Sequence, residues 1–198
     1  MRVGRRRAAA TRVLDLSVAG SRPATVFLDR DGTINRKPPE GSYVSEPSQL
    51  QLLPGAASAI RRLNQAGIKV IVVTNQRGVA QGLMAEGALI EVHDRLRKLL
   101  RAEGAEIDRI YSCIHEVGSC RCRKPDPGLL LEAMAEDPDI ARSRFVMIGD
   151  SHSDVLAGRR AKAETVRLSD RHLPQAQTAG ATYVAQTLSE AVDWVLNR

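Results

Sequence analysis

A chain of 198 residues with 43% apolar content can bury a full core, and 26% charged residues with only 15 Gly and 9 Pro exclude wholesale disorder and collagen-like repeats. No run approaches the ~18 apolar residues of a membrane-spanning helix, so no membrane partner is expected. The formal net charge is +6, but Arg2, Arg5, Arg6, Arg7, Arg12 and Arg22 against Asp15 give residues 1–22 a net of +5 and leave the remaining 176 at +1.

The basic excess therefore belongs to the first 22 residues. Arg12 and Asp15 interrupt the apolar stretch that a secretory signal needs, and no apolar segment follows the arginines as twin-arginine export would require. Six aromatic residues in the whole chain are too few for a nucleic-acid stacking platform. The expectation is a solvated tail on a cytoplasmic protein without a nucleic-acid partner, followed by one domain over 23–198, a monomer.

From there short β-rich runs alternate with helical patterns, the signature of an α/β fold with a doubly wound parallel sheet. Strands are expected at 24–28, 69–73, 107–112, 145–148 and 165–168. Helices are expected at 56–66, stopped by Gly67, at 86–102, from Pro127 through 135 with Asp126 as cap, at 154–163 and at 188–197. His93 and His172 read as surface residues, His152 as an exposed loop residue, and Trp194 as helix packing beside Val192 and Leu196.

Three strands end in polar clusters where such a sheet has its ligand crevice: Asp29-Arg30-Asp31-Gly32-Thr33, Thr74-Asn75-Gln76, and Gly149-Asp150 continuing to Asp154. Arg123-Lys124-Pro125 precedes a helix. Carboxylates from two strand ends can converge on one hard cation such as Mg²⁺, and the hydroxyl, amide and cationic groups beside them suit a phosphate. Separately, all three cysteines lie in Cys113-x-His115-x₄-Cys120-x-Cys122, a ligand set for closed tetrahedral zinc of structural type.

In that order the four clusters resemble the haloacid dehalogenase superfamily of phosphotransferases, over roughly residues 24–165. The spacing between the motifs leaves no room for a large cap domain. The resemblance implies Asp29 as nucleophile forming an aspartyl-phosphate and Asp31 as general acid and base, a role that asks for a raised carboxyl pKa. Mg²⁺ would be held by Asp29, Asp150 and the backbone carbonyl of Asp31, while Thr74 and Lys124 hold the phosphoryl oxygens. Asp154 would orient Lys124 or cap the helix after it.

Together with the Cys/His loop and Thr74-Asn75-Gln76-Arg77-Gly78, these motifs look like one branch of the superfamily. It contains D-glycero-D-manno-heptose 1,7-bisphosphate 7-phosphatases and the phosphatase domain of histidinol-phosphatases. The Gly pattern after Thr74 is similar to the first, and the short His115–Cys120 gap is closer to the second. A small phosphorylated sugar is the expected substrate, with Arg123 reading a second phosphate and Arg30, Tyr43, Asn75, Gln76 and Arg77 as further substrate contacts. Histidinol phosphate is the alternative, and a zinc-stabilised nucleic-acid-binding module the distant one.

Overall fold

Thr25–Leu28, the first strand (β1), is buried at every residue, as a strand covered on both faces must be. A computed structural model describes residues 22–169, 178 and 180–198. After β1 come α1 (Ala56–Gln65), β2 (Lys69–Asn75), α2 (Glu86–Ala102), β3 (Arg109–Cys113), α3 (Gly128–Glu136) and α4 (Pro138–Arg142). β4 (Phe145–Gly149), α5 (His152–Arg160), β5 (Glu164–Leu168), β6 (Tyr183–Ala185) and α6 (Leu188–Leu196) complete the order. The strands form one six-stranded sheet in the order β3-β2-β1-β4-β5-β6, every pairing parallel.

Side chains alternate across the sheet, and the two faces build two cores. Val26, Leu28, Val70, Val72, Val146 and Ile148 pack with residues of α1, α2 and α6. Phe27, Ile71, Val73, Phe145 and Met147 pack with residues of α3, α4 and α5. Each fully buried aliphatic side chain contributes about 1.5–3 kcal/mol. Strand order reverses at β1, which opens a crevice at the carboxyl ends of β1 and β4. Among the described residues no separate domain interrupts the strand connections, and no helix is long and apolar enough to cross a membrane.

α1 stops where expected: the Gly67 and Ile68 N–H groups bond back to the Asn64 and Leu63 carbonyls, closing the last turn around a left-handed Gly67. Other boundaries differ. β3 reaches Cys113, because pairing with Asn75 carries the strand one residue past Ser112. α5 begins at His152, two residues earlier than expected, since Ser151 is its cap. Pro127 is the N-cap of α3 and not its first residue, and Asp126 is not the cap, its carboxylate being paired with Arg160 at 2.9 Å. The strand β6, the helix α4 and a 3₁₀ turn at Pro47–Gln49 were not anticipated. Trp194 packs as expected, stacked on Tyr183 with Arg198 over its ring. The tail through residue 21 and His172 lie outside the described residues.

Candidate active site

Asp29 is the first residue beyond β1, and its N–H bonds the Ile148 carbonyl at 3.0 Å, which seats it between β1 and β4. Its Oδ1 accepts from Lys124 Nζ at 2.8 Å. Lys124 also donates to the Val73 carbonyl at 2.7 Å and pairs with Asp154 Oδ1 at 2.6 Å, so all three ammonium protons are used. Burial pulls the Lys124 pKa down, but Asp154 and Asp29 outweigh it and hold the ammonium above the usual lysine range. Burial raises the Asp29 carboxyl to about 7, opposed by Lys124 and assisted by Asp154 and Asp31. A cation bound at this carboxylate would favour its ionised form.

Asp154 serves both expected roles at once. Its Oδ2 accepts from the Ser151 N–H and hydroxyl, and the Ser151 hydroxyl accepts from the Asp154 N–H, a reciprocal cap on α5. Asp150 is placed differently: Lys37 Nζ lies 2.6 Å from its Oδ2, while Oδ1 is buried without a hydrogen-bond partner among the described residues. Gly32 makes room for this carboxylate. It sits at φ +87°, and a Cβ there would stand 2.5 Å from Asp150 Oδ2.

The Asp31 carboxylate lines the same crevice and is held in a cradle. Asn35 donates to Oδ1 at 2.8 Å, Gln76 donates to Oδ2 at 2.9 Å, and Arg30 reaches both oxygens at 2.9–3.3 Å. Burial alone would raise its pKa. The Arg30 guanidinium and these hydrogen bonds override burial and hold the carboxyl below the usual aspartate range, so the expected raised pKa is corrected. Arg30 is also corrected as a substrate contact: it is fully buried and engaged with Asp31. His93 is not a surface residue, being 8% exposed with Nε2 3.1 Å from Arg30 Nη1. Its helical spacing beside Val92 and Leu96 was the available signal.

A cavity of about 310 Å³ is lined by Asp29, Tyr43, Thr74, Asn75, Arg123 and Lys124 among others. A larger one of about 520 Å³ touches Gly32, Thr33 and Asp150, but Asp150 is the only carboxylate among its lining residues, so the convergent chemistry belongs to the smaller. Asn75 fixes the Lys124 backbone, its amide donating to the Lys124 carbonyl at 3.0 Å and its oxygen accepting from the Lys124 N–H at 3.1 Å. Gln76 is fully buried and donates to Asp31 and to Thr74 Oγ1, which places it behind the cavity and not in it. Arg77 pairs with Glu116 at 2.7 Å. Tyr43 lies over Gly78, where a Cβ would meet its ring at 2.7 Å. Arg123 Nη1 is buried with no hydrogen-bond partner among the described residues. Sequence reasoning missed Lys37, which borders the cavity from the segment 37–43 and carries no motif.

Two groups of side chains could hold metal. Ligand atoms of Asp29, Asp150 and Asp154 lie within 4.8 Å of one another. Asp154 is already committed to Lys124 and Ser151, which leaves Asp29 and the orphaned Asp150 oxygen as the pair suited to a hard cation. The Asp31 carboxylate is outside this group, compatible with a backbone role alone. In the second group the ligand atoms of Cys113, His115, Cys120 and Cys122 all lie within 4.8 Å of one another, and Cys113–His115, Cys113–Cys120, His115–Cys122 and Cys120–Cys122 are 3.2–3.8 Å apart, close to the ~3.8 Å edge of a tetrahedron with Zn–S bonds of about 2.3 Å. All three cysteines are free thiols. The loop they close leads directly into Arg123 and Lys124, and the Gln76 N–H bonds the Cys113 carbonyl at 2.7 Å.

The model of the haloacid dehalogenase-like hydrolases matches residues 20–162, and the chain belongs to that family. It is 41% identical over 131 residues to D-glycero-alpha-D-manno-heptose-1,7-bisphosphate 7-phosphatase of Mycobacterium tuberculosis, covering 66% of this chain and 68% of that one. It is 33% identical over 177 residues to D-glycero-beta-D-manno-heptose-1,7-bisphosphate 7-phosphatase of Pasteurella multocida, covering 83% and 92%. Among solved structures, D,D-heptose 1,7-bisphosphate phosphatase from B. bronchiseptica, complexed with magnesium and phosphate, superposes with a TM-score of 0.76 at 30% identity over 87% of this chain and 98% of that one. Family membership makes the chain a hydrolase.

Proposed function

We propose that the chain is a Mg²⁺-dependent phosphatase that removes the 7-phosphate of D-glycero-D-manno-heptose 1,7-bisphosphate. One observation carries the reading: Lys124 and Asp29 form a buried pair at the crevice, beside an unpartnered Asp150 oxygen. That arrangement supplies a nucleophile, a cation ligand and an ammonium that can exchange its Asp29 contact for a phosphoryl oxygen, in one place. The names of the relatives support the sugar bisphosphate, as does the unpartnered Arg123 Nη1 at the cavity, a donor suited to a second phosphate.

In this mechanism an Asp29 oxygen attacks phosphorus while the bond to the sugar oxygen breaks, and Asp31 gives that oxygen its proton. Water then attacks the aspartyl-phosphate and passes a proton to Asp31, freeing phosphate and Asp29. The Arg30 cradle keeps Asp31 ionised in the free protein, but the negative charge of a phosphate monoester favours the protonated form, so the proton arrives with the substrate. Thr74 and Lys124 hold phosphoryl oxygens, and Asn75 and Asp154 hold Lys124. Asp29, Asp150 and the Asp31 carbonyl would hold Mg²⁺, which would neutralise charge between the nucleophile and the phosphate. Cys113, His115, Cys120 and Cys122 would hold zinc in a structural site and shape the approach to Arg123.

The test is phosphate release from both anomers of the heptose bisphosphate and from histidinol phosphate, with and without Mg²⁺. Release from a heptose bisphosphate that needs Mg²⁺ and disappears in Asp29→Asn is expected. A large preference for histidinol phosphate would reassign the substrate, and full turnover by Asp29→Asn would remove the nucleophile.

A further inference from the structure

Among the described residues, Arg30 is one of the largest side chains that the fold buries completely. A guanidinium in such a place is tolerated only where its donors are met. Its Nε and Nη2 face the Asp31 carboxylate, and Nη1 faces His93 Nε2 at 3.1 Å, across 63 positions of sequence. Arginine only donates, so this nitrogen of His93 must accept and the ring carries its proton on Nδ1. The buried neighbours of His93 on α2 are Leu89, Val92, Leu96 and Leu100. Packing alone would accept a leucine at position 93. Among the described residues the one hydrogen bond of His93 is to Arg30.

From this geometry we infer that His93 is a positioning residue for hydrolysis: it fixes the plane of Arg30, and Arg30 fixes the Asp31 carboxylate. The guanidinium is a rigid planar fork, so anchoring one edge aims the other. Asn35 and Gln76 each hold a single Asp31 oxygen, whereas Arg30 spans both. With the fork free to tilt, the carboxylate can rotate about its last bond between its two single-point contacts. Reaction at the sugar oxygen is sensitive to that rotation, because the proton must be delivered to a lone pair of that oxygen as its bond to phosphorus breaks.

The inference rests on the reading of Asp31 as the acid–base group, and the experiment separates the two. The specificity constant kcat/KM is measured for the heptose bisphosphate, or another alkyl phosphate that the wild type hydrolyses, and for 2,4-dinitrophenyl phosphate, whose leaving group needs no proton. The ratio of the two constants within one preparation is independent of the folded fraction. In Asp31→Asn the ratio is expected to fall by about 100-fold or more. In His93→Leu it falls by roughly tenfold, and in His93→Gln, whose amide oxygen can accept from Nη1, it recovers towards wild type. An unchanged ratio in His93→Leu beside a collapsed one in Asp31→Asn would overturn the role of His93 and leave Asp31 standing. An unchanged ratio in Asp31→Asn would overturn both. A His93→Gln variant no better than His93→Leu would reduce the contact to packing.

Discussion

The Lys124 ammonium stands 2.6 Å from the Asp154 carboxylate, with the two side chains 2% and 1% exposed. Asp154 thereby joins the helix cap of α5 to the charge at the crevice, and the cap sets where the charge stands. Asp154→Asn keeps an acceptor for Ser151 and removes the negative charge. Breaking a buried pair costs about 3–5 kcal/mol, and since Asp29 remains as a partner the lower end is expected here. Denaturant titration should show that loss, and kcat should fall by roughly tenfold or more. A wild-type midpoint together with wild-type kcat would mean that the pair positions nothing.

Purified protein is expected to carry about one equivalent of zinc, and Cys120→Ser/Cys122→Ser none, by elemental analysis. The double variant should lose phosphatase activity through the loop that ends at Arg123 and Lys124, while β1, β2 and β4 still pair. Circular dichroism checks the second point. Zinc retained by the double variant would refute the ligand set.

Stability should depend on the protonation of His93. Burial, with Arg30 and Arg97 and against Asp31, lowers its pKa from 6.5 to about 3 in the folded protein. Between those values the unfolded chain binds a proton that the folded chain does not. The contribution is therefore complete above about pH 6.5 and is lost as pH falls towards 3, with a slope of at most ~1.4 kcal/mol per pH unit. Unfolding free energies of His93→Gln should fall less steeply than wild type over this window. Parallel curves would show that the imidazole stays charged in the fold.

Gly32→Ala places a Cβ 2.5 Å from Asp150 Oδ2 and forces a side chain onto a left-handed residue. Strain of about 1–3 kcal/mol is expected, together with weaker Mg²⁺ binding, because Asp150 must move. Calorimetric titration with Mg²⁺ in the absence of substrate measures the second effect apart from activity. Wild-type affinity would show that Asp150 does not hold the cation.

The parallel sheet and the crevice were legible because β1, β2 and β4 are nearly unbroken apolar runs that end abruptly in Asp29, Thr74 and Asp150. The Cys/His cluster was legible because its ligands are local in sequence. What pattern did not reveal was direction. Arg30 sits inside a motif of site residues yet is fully buried, its guanidinium turned at a bend beyond β1 onto Asp31 and His93. His93 looked like a surface histidine because polarity alone does not disclose a buried guanidinium 63 positions away. β6 escaped because three residues show no period, and its pairing with β5 is a tertiary matter. Lys37 lies in a turn segment whose contact with Asp150 depends on how the loop closes.

The central place of β1 carries a consequence for biosynthesis. Thr25 pairs on one side with Lys69 but on the other with Phe145, about 120 residues later. At roughly 5–20 residues per second, the ribosome delivers the second partner about 6–24 seconds after β1 has emerged. Throughout that interval Thr-Val-Phe-Leu has one open edge facing an unfinished sheet, the condition under which strands recruit foreign partners. The strand that leads to Asp29 is thus made early but enclosed only once β4 arrives. Recovery of hydrolysis during refolding reports the completed sheet, and a nascent chain truncated before β4 is the form that holding chaperones would have to guard.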